Sequence, residues 1–140
     1  MHFSGIKNKM RYLMKYLVIV LGGGTGALFR YVLSRYISTF SNGSFPIGTL
    51  IINLTGCFLI GLLSGLFDFW IIPPNLRLFI FIGFLGGYTT FSTFGLETFK
   101  LLQTTENGYA IMNVILSNMA GIPLVFAGFI LSQVIIKIFK

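Results

Sequence analysis

The sequence predicts an all-α integral membrane protein of four transmembrane helices, the third of them broken at its centre. Composition comes first. Of 140 residues, 55% are hydrophobic and 9% charged, and the mean hydropathy is +0.88, outside the range of ordinary soluble domains. Length comes second, since such a chain holds about four spans of ~20 residues and no separate soluble domain. The third observation is the stretch from Gly83 to Phe94, which sets Gly83, Gly86 and Gly87 beside Thr89, Thr90, Ser92 and Thr93 in mid-span. These residues weaken helical order. Backbone freed from a helix at membrane depth is tolerated where protein buries it or a polar cavity receives it, and unwound carbonyls there can coordinate a cation.

Several function classes drop out early. The single Cys57 lies in an apolar run, so neither a disulfide nor a thiolate metal site is implied. The net charge of +7 does not indicate nucleic acid, because the basic residues cluster at the ends of apolar segments, as topology signals do.

The elements follow in order. Residues 1–15 form a basic tail with Lys7, Lys9, Arg11 and Lys15. A charged start before an apolar run also describes a signal peptide, but no cleavage site with a mature soluble domain follows. The reading is an uncleaved first span at about residues 13–37. Within it, Gly22, Gly24 and Ala27 imitate a dinucleotide fingerprint. That motif also needs a βαβ unit and an acidic residue ~20 positions on, and no Asp or Glu precedes Asp68. Gly22 and Gly26 are read instead as small residues that let helices pack closely. Arg30 lies one to two turns inside the span, where an arginine either faces a wet cavity or snorkels to the interface; Arg35 snorkels.

After a turn-rich loop (residues 38–46), the second span covers about residues 47–67. Thr49, Asn53 and Gly56 share one helical face. Asn53 serves either as an interhelical hydrogen-bonding group or as a donor in a pore. Gly61 and Gly65 form a packing motif. A loop with Trp70 as interface anchor leads to the third span, about residues 77–102, and Phe91 and Phe94 share a face if its second half is helical. The fourth span, about residues 109–136, carries Asn113, Ser117 and Gly121 as one polar stripe.

The catalytic inventory is thin: His2 is the one histidine, and there is neither a carboxylate pair nor a Cys/His cluster. No enzyme is expected. The remaining groups suit an anion, because amide N–H groups replace hydration and aromatic rings carry a positive edge.

Three motifs then carry a resemblance. Gly23, Gly26, Ala27, Arg30 and Tyr31 form the first, and Gly48, Thr49, Asn53 and Gly56 the second. The third, Gly83-Phe84-Leu85-Gly86-Gly87-Tyr88-Thr89-Thr90-Phe91-Ser92-Thr93-Phe94 with Glu97, is highly specific. Together they resemble the fluoride-channel family (Fluc, also called CrcB) across all four spans. The resemblance implies a fluoride-selective passive channel in the cell membrane that exports fluoride and lowers its toxicity. It further implies a dual-topology antiparallel dimer with two pores at the subunit interface. A central structural sodium ion would be held by the carbonyls of Gly86 and Thr89. Phe91, Phe94 and Asn53 correspond to pore residues, Ser92, Thr93, Ser117 and Thr49 continue a polar track, and Arg30 sits near a vestibule. One departure is Asn113, where many members carry a tyrosine.

Two membrane alternatives remain beside it, a small multidrug-type transporter and a non-conducting helper subunit. A four-span drug exporter would use a carboxylate in its first span, and this chain has none there. The charge pattern adds an expectation. Lys7, Lys9, Arg11, Lys15, Arg77, Lys137 and Lys140 fall on the side of the termini, against Arg35 and Lys100 opposite. That bias puts the termini in the cytoplasm, so the antiparallel partner is either a copy of the chain or an oppositely oriented paralogue.

Overall fold

The structure is a computed structural model that describes residues 2–41 and 43–139, with side chains from residue 8 onward. The side chains of His2 and Lys7, and Lys140 entirely, lie outside the described residues. The chain is a multi-pass membrane protein. Four segments are long and apolar enough to cross a bilayer: Asn8–Ser38, Ile47–Phe69, Pro74–Gln103 and Asn107–Ile138. Among the described residues there is no strand.

Local chemistry sets the boundaries. The second helix, Ile47–Phe69, starts directly after Pro46 and stops at Trp70, whose backbone turns extended (φ −91°, ψ 140°). Pro73 and Pro74 follow, and Pro74 opens the third span at a first-turn position that tolerates a missing N–H. The third span then winds through wide π-helical turns over Leu78–Leu85, closes with a single turn Gly86–Tyr88, and resumes as an α-helix over Phe91–Gln103. The first helix runs His2–Ser38 and the fourth Asn107–Ile138, with Pro123 inside it.

The helices associate as two pairs. The first packs on the opening half of the third span, and the second packs along the fourth. Water expulsion does not drive this association inside a bilayer, so close backbone approach must. Glycines make the approach. A methyl group at Gly22 would run into the carbonyl of Phe79 and the backbone of Gly83, and one at Gly26 into the carbonyl of Phe84. Across the seam, Gly83 and Gly87 meet the backbones of Gly22 and Gly23. The packing role read for Gly22 and Gly26 from the sequence is the one these contacts show. In the other pair, Gly61 lies against Val125, Gly65 against Ser132, and Gly128 against the carbonyl of Phe58.

Gly24 is the internal control, since nothing lies within 4 Å of a methyl group placed there. Gly26→Ala should therefore destabilise the protein by about 1–3 kcal/mol through overpacking, while Gly24→Ala leaves stability unchanged or slightly raised. Thermal unfolding of both variants in detergent checks the contrast.

Candidate functional site

The site forms where the third span loses its helical path. Thr89 (φ −81°, ψ 156°) and Thr90 (φ −150°, ψ 119°) are both extended, between the turn ending at Tyr88 and the helix beginning at Phe91. Two extended residues in a span leave backbone groups that need partners. Asn53 supplies them from the second helix. Its Oδ1 accepts the amide of Thr90 at 2.8 Å, and its Nδ2 donates to the carbonyl of the same residue at 3.0 Å. Thr90 in turn caps the following helix: its hydroxyl oxygen accepts the amide of Thr93 at 3.2 Å and donates to the Thr93 hydroxyl at 2.9 Å, the usual role of a threonine at a helix start.

These bonds redirect two helical donors. In an unbroken helix the amide of Thr90 would bond the carbonyl of Gly86, and that of Thr93 the carbonyl of Thr89. Here the first is held by Asn53 and the second by the Thr90 side chain. Tyr88 and Thr89 anchor the approach to the break. The Tyr88 hydroxyl meets that of Thr55 at 2.8 Å, and the Thr89 hydroxyl donates to the carbonyl of Leu85 at 2.9 Å. Gly56 leaves the space that the methyl of Thr89 occupies.

Two cavities flank the break. The first, of about 350 Å³, is lined by Asn53, Gly86, Thr89, Phe91, Phe94 and Ser117 among others. The rings of Phe91 and Phe94 lie 5.4 Å apart at 43°, and Phe91 is 83% exposed. The Ser117 hydroxyl is buried and has no hydrogen-bond partner among the described residues. The second cavity, about 270 Å³, is lined by Arg30, Tyr31, Arg35, Thr49, Thr90 and Thr93 with their neighbours. Thr49 there donates to Oε1 of Glu97 at 2.9 Å, while Oε2 of Glu97 is buried without a partner among the described residues.

The structure thus divides the candidate residues. Asn53, Phe91, Phe94, Ser117, Gly86 and Thr89 share one cavity, and Arg30, Thr49 and Thr93 share the other. Ser92 lines neither of these two; it is exposed, with its hydroxyl 3.4 Å from that of Thr90. The polar stripe of the fourth helix also divides. Asn113 is 1% exposed and donates to the Thr98 hydroxyl at 2.9 Å, which passes its own hydrogen to the carbonyl of Phe94 at 2.8 Å. Asn113 therefore fastens the fourth helix to the one carrying the phenylalanines. Thr90, Thr98 and Asn118 are site or support residues that the sequence reading did not single out. A threonine immediately before a helical run is a start signal, and it marks Thr90.

Such a site, on these four helices, has relatives. A family model described as "CrcB-like protein, Camphor Resistance (CrcB)" matches residues 17–129. The chain belongs to the CrcB family. Among curated members, the "Fluoride-specific ion channel FluC" of Desulforapulum autotrophicum is 42% identical over 122 residues, covering 86% of this chain and 98% of that protein. The FluC protein of Hydrogenobaculum sp. is 47% identical over 116 residues, 82% of this chain and 94% of that one. A third CrcB relative, the FluC protein of Pyrococcus abyssi, is 43% identical over 118 residues, with 84% and 94% covered. The match to the CrcB model takes in both cavities and the whole interruption at Thr89 and Thr90.

The clasp on Thr90 has a measurable consequence. Asn53→Ala strips both partners from a backbone unit inside a span, a loss of about 1–3 kcal/mol for each buried group left unpaired. Hydrogen exchange of the Thr89–Thr90 segment should accelerate in that variant, together with a lowered unfolding temperature.

Proposed function

We propose that this chain is a passive, fluoride-selective channel of the cell membrane that lets a cell shed fluoride, and not an enzyme. The observation that carries the reading is the convergence of the Ser117 hydroxyl, without a partner among the described residues, with Asn53 and the Phe91 and Phe94 rings on one cavity beside the break. One hydrogen of the Asn53 amide is held by Thr90, and the amide carries a second. Ring edges and fixed donors suit a small anion that gives up its water reluctantly. The FluC relatives support the same reading through their names. Within this proposal, Phe91, Phe94 and Asn53 contact the ion, and Ser117, Ser92, Thr93 and Thr49 extend a polar track. Arg30 holds positive potential at the second cavity.

Liposomes containing only this protein, loaded with fluoride or chloride, test it. Fluoride should leave quickly and chloride hardly at all; equal efflux of both ions sinks the proposal. Asn53→Asp should abolish or strongly reduce flux, because a carboxylate offers no donor and places like charge in the path. Phe94→Ile should slow flux by removing a ring edge without adding charge.

A structural sodium ion belongs to the same reading. The residues fit it: the donors that would occupy the carbonyls of Gly86 and Thr89 in a helix are drawn to Asn53 and to the Thr90 side chain. Two neutral oxygens, doubled in an antiparallel pair, suit a monovalent cation better than a divalent one, which takes carboxylates or more oxygens. The ion, when bound, supplies fixed positive charge, and this chain's residues orient the oxygens. Efflux after exhaustive replacement of sodium by a large organic cation should fall.

The orientation of the assembly follows from charge. Lys9, Arg11, Lys15, Arg77 and Lys137 stand at the end of the termini, offset by Asp68, whereas Arg35, Lys100 and Glu106 stand opposite. This bias favours cytoplasmic termini, so an antiparallel partner is either an oppositely biased paralogue or the minority of copies that insert the other way. With Cys57 replaced, single cysteines at the exposed Asn75 and Asn107 report the outcome in intact cells. An impermeant thiol reagent should label only Asn107→Cys, and equal labelling of both means that the chain inserts both ways.

A further inference from the structure

A second kind of site shares Phe81 with the first cavity. A groove of about 540 Å³ is bounded by Lys15 from the first helix, Ser64 from the second, and Pro74, Arg77, Leu78, Phe81 and Ile82 from the third span. Its composition is graded. Phe81 and Ile82 lie three and four residues after Leu78, so the three form a continuous apolar wall. Lys15 and Arg77 are its two cations.

Their depth is fixed by helix geometry. Lys15 and Arg35 are twenty positions apart on one helix, hence ~30 Å at 1.5 Å per residue, which equals the thickness of a bilayer's hydrocarbon core. With Arg35 at one interface, Lys15 lies at the other, and the apolar wall descends from it into the hydrocarbon. Lys15 is half-buried, unlike the exposed Lys9 and Arg11 before it, and its ammonium sits 5.5 Å from the centre of the Tyr12 ring. Asp68 engages Arg77 through one terminal nitrogen, Nη2. Lys15, Arg77 and Asp68 together leave one positive charge, and Arg11, one turn before Lys15, adds another.

We propose that this groove holds one anionic phospholipid, its phosphodiester between Lys15 and Arg77 and an acyl chain along Leu78, Phe81 and Ile82. Basic pockets between transmembrane helices on the cytoplasmic side take such headgroups. A neutral, zwitterionic lipid matches the wall but leaves the positive charge uncompensated. A free phosphate matches the charge but leaves the wall empty.

Native mass spectrometry of the intact protein, titrated with phosphatidylglycerol or phosphatidylcholine in detergent, tests the site. Wild type should retain one phosphatidylglycerol with roughly tenfold preference, the scale expected for two cations near a membrane surface. Lys15→Gln, which breaks no ion pair among the described residues, should lower that preference to roughly threefold. Ile82→Trp fills the groove from an exposed position and keeps every charge; it should displace the lipid. Lys137→Gln, at the same end but outside the groove, should change nothing. The proposal is overturned if Lys137→Gln weakens retention as much as Lys15→Gln, since the binding is then diffuse charge. It is equally overturned if both lipids bind alike in wild type, if Ile82→Trp retains the lipid, or if millimolar inorganic phosphate displaces phosphatidylglycerol.

Discussion

The break at the centre of the site depends on one side chain's grip on the backbone of one residue. Asn53 holds the N–H and C=O of Thr90 together, at 2.8 and 3.0 Å, and so completes the hydrogen bonding of a residue that has left the helix. In hydrocarbon an unmatched pair of backbone groups costs several kcal/mol, and the grip removes that cost locally. An asparagine suits the task because its amide offers one acceptor and two donors in a plane. Aspartate keeps the acceptor and loses the donor, and leucine loses both. The two roles considered for Asn53, interhelical bonding group and cavity donor, are therefore compatible. The residue that closes the break also lines the cavity, and its amide carries one hydrogen beyond the bond to Thr90.

The glycines determine where the break can stand. Gly22, Gly26, Gly83 and Gly87 bring the first helix and the opening half of the third span into backbone contact. That half is held on one side by the first helix, while Asn53 and Thr55 reach it from the second. Beyond the break, the second half is fastened separately by Asn113 through Thr98. The opening half is thus packed by the first helix, whereas the second half is bonded to the fourth through Asn113 and to the second through Thr49 and Glu97. The wide π-helical turns over Leu78–Leu85 also belong to the half that glycines pack, where loosened winding meets close backbone approach.

Much of this was legible in the sequence because membranes restrict the menu. Apolar length announced four spans, and small residues at intervals of four announced tight seams. Glycine and hydroxyl density between Gly83 and Phe94 marked the region of the interruption. Its placement at Thr89 and Thr90, just beyond Gly87, is decided by a partner far away in the chain, Asn53, together with Thr90's own side chain as a cap. Periodicity carries no such information. Likewise Asn113 and Ser117 look equivalent on a helical wheel, one turn apart on one stripe. Only the neighbouring helix shows that Asn113 is consumed by Thr98 while Ser117 is left without a partner. Glu97 is similar, since the sequence shows it only as part of the third motif and folding ties it to Thr49.

Two buried oxygens without partners among the described residues, on Ser117 and Glu97, are informative because they are expensive. Burying a polar group without compensation costs on the order of 1–3 kcal/mol by protein mutational data, and evolved structures rarely leave such atoms idle. They stand with different cavities: Ser117 lines the first, and Glu97 bonds Thr49, which lines the second. Thr90 lines both, the residue whose backbone Asn53 holds. The two cavities therefore meet at the break, with Asn53, Ser117 and the Phe91 and Phe94 rings lining the first and Arg30 and Arg35 lining the second. With Phe91 turned almost wholly outward, one chain leaves its lining open on one side. The proposed antiparallel assembly gives that open side its complement, because a second copy brings the same ring and the same pair of carbonyls to the same level.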